Sequence, residues 1–255
     1  MEAFRSRPLH HTDFPYVFLD ATYLHVRRPG QVTSMAVVVA TGVTATGGRE
    51  VLGVDVGDSE DEVFWRGFLR TLKERGLTGV RLVISDQHAG LVAALRRVLQ
   101  GAAHQRCRVH FVRNLLALVP KSHKDMVAAV FRTIFAQPDP ATVAATWDSV
   151  RDQLAAAFPK IGPLMDEPKT EVLALRRLPR NHWPKVWSTN PLERVNKEIK
   201  RRARVVGIFR TSPPSSAILA DMHDEWQVSD RREGSMAQLK PISNNETVAA
   251  ISASD

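Results

Sequence analysis

The segment FPYVFLDATYLHV, residues 14–26, has the composition of a buried β-strand. Bulky and β-branched side chains such as Val17 and Phe18 suit the pleated surface of a central strand. One carboxylate, Asp20, interrupts them. An ionised group taken out of water is costly unless it is paired or binds a metal. Asp20 therefore has two interpretations, as a side chain bonded to backbone amides at a bulge or strand end, or as a member of a functional site.

Two more strand-like runs follow, over residues 34–44 and 50–56, and turn sequences rich in proline and glycine separate the three runs. This pattern predicts an antiparallel three-strand meander. Residues 59–62 (Ser-Glu-Asp-Glu) have the form of a capping box at the start of a helix. A short apolar run over 80–84 and a helix over about 88–99 come next. We therefore expect an α/β fold with a mixed sheet, whose later strands run parallel to the first.

From Val109 onward the strand pattern gives way to helices, which predicts an all-α insertion in the α/β part. Proline residues separate four amphipathic stretches, over residues 110–119, 122–136, 140–158 and 170–178. A basic helix over 194–204 follows. The predicted organisation in chain order is the first part of an α/β core, the helical insertion, the last part of the core with its final helix, and an irregular, partly disordered tail, over residues 1–118, 119–180, 181–210 and 211–255.

The composition is that of an ordinary globular protein with excess positive charge. Of its 255 residues, 44% are apolar and 24% charged, the formal net charge is +8, and the pI is about 10.0. We expect no membrane partner, because no apolar run approaches the roughly 18–20 residues of a membrane span, and no apolar signal region stands at the N-terminus. A single cysteine excludes an internal disulfide and suits the reducing cytoplasm. The positive charge favours a polyanionic partner without identifying it.

Asp86 follows the apolar run VRLVIS and precedes a helix. This is where open α/β sheets place their functional sites, although Ser-Asp before a helix also fits an N-cap. We expect Asp20 in the first strand and Asp86 at the tip of a parallel neighbour to meet across the sheet. Two carboxylates repel at close range, so a metal ion is the usual reason for bringing them together, and Mg²⁺ prefers their oxygens.

A third acid stands at the start of the basic helix. Glu193 in Asn-Pro-Leu-Glu fits a capping box with proline at the first helical position. It is also a candidate metal ligand, and Glu198 on the same helix is the other candidate. The cationic residues of this helix form either a solvated charged face or a surface that follows DNA phosphates: Arg194, Lys197, Lys200, Arg201 and Arg202.

These segments together resemble the mutator-type transposases of bacterial insertion sequences, in the RNase H-like DDE superfamily. The matching segments run in family order from residue 4 to about residue 209 and include LDATY (19–23), REVLGVDVGDSE (49–60), VRLVISD (80–86), QRCRVHFVRNLL (105–116) and WSTNPLERVNKEIKRR (187–202). The resemblance implies an RNase H-like mixed sheet with a helical insertion between the second and third acids. By motif, it assigns the three acids to Asp20, Asp86 and Glu193.

The resemblance also implies metal-dependent cleavage and joining of DNA strands, without a covalent protein–DNA intermediate. Two Mg²⁺ ions, for which Mn²⁺ is a plausible substitute, would share Asp20, and Asp86 and Glu193 would each complete one side. One ion would activate water and later a DNA 3′-hydroxyl, while the other would stabilise the leaving oxygen. The implied partners are the DNA ends of the element and the target DNA. The implied active form is a homo-oligomer, associated with the nucleoid in the cytoplasm.

Cys107 and His110 form a C-x-x-H pair that is also a signature of the family. Because structural zinc takes four ligands, this pair is an incomplete zinc site, and we interpret it as packing or as positioning next to DNA. His88 either contacts the scissile phosphate or only belongs to the first turn of its helix. Trp183 and Trp187 either pack in a core or stack on an unpaired base.

The chain departs from the family pattern in three places. It opens almost directly at FRSRPL (residues 4–9), so we expect the helical region that reads the terminal repeats to be missing. The stretch before DEWQV (residues 224–228) is shortened, and Ala203-Arg204 stands where the family commonly has Thr-Asp. These departures indicate a truncated copy and leave its activity open. Two alternatives to a transposase also stay open: a non-catalytic DNA-binding fragment that regulates full-length transposase, and an RNase H-like nuclease.

Overall fold

The computed structural model describes residues 5–28, 31–206 and 209–210. Contacts divide this part of the chain into two compact units, one containing residues up to 104 together with those from 189 onward, the other containing residues 105–188. Both predicted boundaries of the insertion, residues 119 and 180, fall inside the second unit. The predicted linker and tail, over residues 211–255, lie outside the described residues.

A mixed β-sheet of six strands has the order β3-β2-β1-β4-β5, with β6 paired to β1. The strands are β1 (Tyr16–Arg28), β2 (Gln31–Val43), β3 (Arg49–Gly57), β4 (Leu82–Ser85), β5 (Ala103–Arg106) and β6 (Phe209–Arg210). Strands β1 to β3 form the predicted antiparallel meander, and β4 runs parallel to β1. The predicted α/β class with a mixed sheet is therefore confirmed. Strand β5 was not expected from the sequence pattern.

Helices α1 (Glu62–Glu74) and α2 (Ala89–Val98) cover one face of the sheet with a shared apolar core. This core joins buried side chains of both helices to inward-facing residues of β1 to β4, among them Trp65, Leu91, Val17 and Leu19. Side chains alternate along a strand, which is why the odd-numbered residues of β1 enter this core. The opposite face of β1 is left for another element.

The predicted capping box at the start of α1 is wrong in its capping residue. Asp61 caps the helix instead of Ser59, since its Oδ1 accepts the Phe64 N–H at 2.8 Å. The Ser59 hydroxyl donates to Asp61 Oδ2 at 2.8 Å. A carboxylate is the stronger acceptor at a helix N-terminus, so the serine supports the cap without being the cap.

The second unit is helical and contains the elements α3 to α8. They are α3 (Arg108–Ala117), α4 (Lys124–Ala136), α5 (Pro140–Ala157), α6 (Ile161–Asp166), α7 (Lys169–Val172) and α8 (Trp183–Val186). The buried rings of Phe111, Phe131 and Trp147 contact one another at its centre, with centroids 5.5 to 5.8 Å apart.

The single helix predicted over residues 170–178 is wrong, because the segment is divided. It forms α7 and a separate 3₁₀ turn, Ala174–Arg177. The fully buried Gln105 side chain explains the division. Its Nε2 donates to the Val172 carbonyl and its Oε1 accepts the Leu175 N–H, each at 2.8 Å. These bonds replace the backbone bonds that a continuous helix would make.

Helix α9 (Asn190–Val206) belongs to the first unit and packs against β1. It begins at Asn190, earlier than the predicted start at residue 194. Leu192, Val195 and Ile199 are buried on its inner side. Among the described residues, no helix combines the length and the apolar composition that crossing a membrane requires.

Candidate functional site

The pairing of β1 with β4 brings Asp20 and Asp86 to one place. The two strands are parallel, and the last residues in register are Phe18 and Ile84. Continuing this register by two residues sets Asp20 opposite Asp86, and neighbouring strands lie about 4.8 Å apart. Strand β4 ends at Ser85. Asp86 therefore leaves the sheet at the level where Asp20 is still part of β1.

Asp20 and Asp86 both line a cleft of about 160 Å³ in the first unit. The remaining lining comes from β1, from the segment before α1, and from the start of α2. It consists of a third acid, an amide, a histidine and four apolar residues: Glu60, Gln87, His88, Leu19, Ala21, Trp65 and Leu91. The cleft thus has three acidic residues in its lining.

Hydrogen bonds from two different elements hold Asp20. Its Oδ1 accepts the Ala21 N–H at 3.0 Å, and its Oδ2 accepts Nδ2 of Asn196, on α9, at 2.8 Å. The pairing of β1 with β2 runs through Asp20 without a bulge. The expected bond to a backbone amide is present, and a side-chain bond from Asn196 accompanies it.

Asn196 is a residue of the site that the sequence analysis missed. It is 8% exposed, and no other group among the described residues bonds to its Oδ1. An asparagine on a basic helix has no distinctive pattern. Only the alternation of β1, which turns Asp20 towards α9 and away from the α1–α2 core, would have suggested a partner there.

Asp86 does not cap helix α2. Its Oδ1 accepts the Gln87 N–H at 2.7 Å, and the capping position belongs to His88. Behind Asp86, the buried Ser85 hydroxyl donates to the Asp86 carbonyl at 2.9 Å and lies 2.8 Å from Nε2 of His104. These contacts fix the backbone from which the Asp86 carboxylate projects. His88 is exposed and lines the cleft.

Glu60 is a second residue of the cleft that the sequence analysis missed as a functional candidate, having placed it in a capping sequence. Its carboxylate interacts with the phenol of Tyr23 on β1. Partial burial, followed by this interaction and its negative charge, raises the pKa of Tyr23 above its ordinary value. The phenol therefore stays protonated throughout the neutral range.

Glu193, the third predicted acid, is not among the residues that line this cleft. It is half-buried in the first turn of α9, where its N–H donates to the Thr189 carbonyl at 3.1 Å. Residues three apart on a helix are neighbours, so Glu193 lies beside Asn196 and about one turn from the Asp20 contact. Within the described ranges, no group of three or more His, Cys, Asp or Glu side chains is arranged to hold a metal ion.

The basic residues of α9 differ in how they are engaged. Lys197 and Lys200 are exposed. Arg201 is also exposed, but its guanidinium donates to both carboxylate oxygens of Glu198, at 2.7 and 2.5 Å. Arg194 and Arg202 have side chains outside the described part of the chain.

Cys107 and His110 belong to the second unit. Cys107 is fully buried before α3, and His110 is half-buried on that helix. Between them, the Arg108 guanidinium lies 3.8 Å from the ring centroid of Trp187 and 4.3 Å from that of Phe135. Burial lowers the pKa of Arg108 to about 10. The Trp187 ring therefore has a structural contact, with the Arg108 guanidinium. Base stacking, the other interpretation of Trp187, would use a face of the same ring.

Comparison with known proteins adds a second line of information. Residues 1–229 match the family described as Transposase, Mutator family. The chain is 44% identical over 230 residues to the transposase for insertion sequence element IS1081 of Mycobacterium tuberculosis, and 41% identical over 232 residues to that for IS406 of Burkholderia multivorans. It is 32% identical over 243 residues to the transposase for IS256 in transposon Tn4001 of Staphylococcus aureus. Each alignment covers 89% of this chain but only 55%, 59% and 60% of the three relatives, so the chain spans little more than half their length.

Proposed function

The chain belongs to the Mutator family of transposases, and from this premise we propose that it cleaves and joins DNA strands at the cleft lined by Asp20 and Asp86. The single observation that carries the proposal is the parallel pairing of β1 with β4, whose register leads both acids to one cleft. We also assign the sheet, with α9 packed against β1, to the RNase H-like architecture. That architecture is the one in which acids from a central strand, its parallel neighbour and a later helix would converge.

A divalent cation fits the residues at this cleft. Mg²⁺ and Mn²⁺ favour oxygen ligands, and Asp20 and Asp86 offer carboxylates at one edge of the sheet. The buried Oδ1 of Asn196 is an acceptor with no bond partner among the described residues, and it adds negative potential beside the Asp20 carboxylate that this residue holds. We assign two cations to the site, with Asp20 shared between them. When bound, they would offset the negative charge that develops on the reacting phosphate.

The chain's own residues orient the reacting groups. The bonds from Ala21 and Asn196 limit rotation of the Asp20 carboxylate, and the Gln87 N–H does the same for Asp86. The exposed imidazole of His88 is placed at the cleft to donate to a phosphate oxygen.

Glu193 is the third acid in this proposal. It is on the helix that Asn196 joins to Asp20, one turn away from that contact. A change of side-chain rotamer would turn its carboxylate towards the cleft. Glu198 is the weaker candidate, because Arg201 already occupies both of its oxygens.

DNA is the proposed partner, with a homo-oligomer as the active form and the nucleoid in the cytoplasm as its location. Two observations support a nucleic-acid partner: the net charge of +8 and the exposed Lys197 and Lys200 on the helix that carries Glu193. Cationic side chains that replace counterions on phosphates give affinity without sequence specificity. His88, Arg194, Arg201 and Arg202 complete the proposed contact set.

The test is a nicking and strand-transfer assay on DNA carrying the ends of an insertion element, with Mg²⁺ or Mn²⁺. We expect Asp20→Asn and Asp86→Asn each to abolish product. Both variants should bind DNA as well as the unaltered protein or more tightly, because a negative charge near phosphate is removed. Asp125→Asn, at an exposed position on α4, is the matched control and should retain activity.

Full activity of either cleft variant would contradict the assignment of the metal site. DNA binding without any metal-dependent product in the unaltered protein would instead favour the DNA-binding fragment. Equal cleavage of DNA with and without element ends would favour the nuclease.

A further inference from the structure

We propose that Asn196 is a positioning residue of the reaction, whose side-chain amide orients the Asp20 carboxylate and joins it to the helix that carries Glu193. The bond from Asn196 Nδ2 to Asp20 Oδ2, at 2.8 Å, connects α9 to β1. The inference rests on the proposed function, since it concerns the same cleft. It assigns a role to a residue that neither contacts the reacting atoms nor carries a charge.

The geometry restricts the Asp20 carboxylate from both sides. Its Oδ1 is bonded to the Ala21 N–H of its own strand and its Oδ2 to Asn196 of another element. Bonds from different directions set the plane of the carboxylate, and the bond from Asn196 ties that plane to a second element. Each carboxylate oxygen accepts more than one bond, so both can still bind a cation.

The burial of Asn196 distinguishes a positioning role from a role in packing alone. Asn196 is 8% exposed between the buried neighbours Val195 and Ile199, and its Oδ1 is buried with no bond partner among the described residues. A buried acceptor left unpaired is unfavourable, and an apolar side chain of similar shape would avoid the penalty. Packing alone therefore does not account for an amide here, and the bond to Asp20 does.

The position on α9 links two of the proposed acids. Glu193 and Asn196 are three residues apart and share one side of the helix. Because Asn196 is bonded to Asp20, α9 is connected to β1 at that turn. Glu193 is then presented from a fixed turn, so the amide positions the first acid directly and the third through the helix.

The test measures cation binding by the full chain without DNA, by Mn²⁺ titration calorimetry, beside the melting temperature of each variant. We expect Asn196→Ala to bind Mn²⁺ about tenfold or more weakly, the usual effect of losing a group that orients a metal ligand. Ile199→Val is the control, because it removes buried packing from the same helix without touching Asp20. It should lower the melting temperature and leave Mn²⁺ affinity unchanged.

Affinity in Asn196→Ala equal to that of the unaltered protein, beside a clear loss in Asp20→Asn, would overturn this inference and leave the proposed function intact. Affinity in the unaltered protein no better than in Asp20→Asn would overturn the metal site itself, and the inference with it. If Asn196→Ala does not fold, Asn196→Gln replaces it. Its amide is retained on a longer side chain that misplaces the donor, so the same loss of Mn²⁺ affinity is expected, and unchanged affinity contradicts the inference.

Discussion

The phenol of Tyr23 lies within interaction distance of the carboxylate of Glu60, so an acid of the cleft lining stands beside the same strand that carries Asp20. The sequence separates Tyr23 from Glu60 by the whole of β2 and β3, and the meander brings them together. This interaction leaves a spectroscopic signature, because it raises the pKa of one of the two tyrosines in the chain.

Both tyrosines should ionise above their ordinary pKa of 10.0 in the folded protein. Partial burial and the neighbouring Glu60 carboxylate raise the pKa of Tyr23, and deeper burial raises that of Tyr16 much further. Since the tyrosines of the unfolded chain lose protons first, their contribution to stability is complete below about pH 10 and is lost as the pH rises through the folded-state values. Tyrosinate absorbance during a pH titration measures this. Tyr23→Phe should remove the earlier step, and tyrosinate signal well below pH 10 would contradict the assignment.

The two candidate third acids should respond differently to loss of charge. We expect Glu193→Gln to reduce the rate of DNA nicking by at least about tenfold, in the range seen when metal-site groups are removed. Glu198→Gln should retain most of the activity, because its carboxylate is engaged by Arg201 on the helix surface. Single-turnover nicking with Mg²⁺ compares the two variants directly. The reverse order of effects would move the third acid to Glu198.

The exposed lysines of α9 should contribute to the salt dependence of DNA binding. Each phosphate contact adds about 0.9 to the slope of log affinity against log salt concentration. Lys197→Gln with Lys200→Gln should therefore reduce the slope by up to about 1.8, and Arg201→Gln should add less because Glu198 already engages that arginine. Lys121→Gln with Lys160→Gln removes the same charge from exposed positions of the second unit and is the control. An unchanged slope in the α9 variant would exclude these contacts.

Two glycines should give opposite results when they are replaced by alanine. At Gly90 an added Cβ would lie 2.7 Å from the backbone nitrogen of Glu62 and 2.8 Å from the carbonyl oxygen of Glu60. Since backbone cannot yield as a side chain does, Gly90→Ala should separate α2 from the segment that carries Glu60, lowering both stability and activity. Gly67→Ala, inside α1 with nothing within 4 Å, should stabilise the protein by about 0.5–1 kcal/mol. Thermal unfolding of both variants is the measurement, and equal melting temperatures would contradict the close approach at Gly90.

The meander and the parallel strand were predictable because their apolar runs are long and turn residues separate them clearly. Strand β5 was not, since its sequence AHQR has three polar residues out of four and carries no strand pattern. The division of the predicted helix over residues 170–178 depends on Gln105, which is distant in the chain and acts only once it is buried. Tertiary contacts outweighed local propensity in both places.

The acids Asp20 and Asp86 could be proposed from sequence because a carboxylate at the centre or end of an apolar strand is unusual. Asn196 and Glu60 could not be proposed in the same way. Asn196 is a neutral residue among charged ones. Glu60 stands in a sequence that already has a structural explanation, as a predicted helix cap. Their part in the cleft depends on which face of β1 and which end of α1 they meet, and the spacing of residues in the chain does not contain that information.

Because β1 and β4 pair in a fixed register, insertions and deletions should be tolerated in some parts of the chain and not in others. Removing one residue between Tyr16 and Asp20 would turn the carboxylate to the opposite side of the sheet, because successive side chains alternate. The turn between β2 and β3 can change in length without moving either aspartate, since the strand order places β2 and β3 on the other side of β1 from β4. Length variation among related sequences should therefore concentrate in such turns and spare residues 16–20 and 82–86.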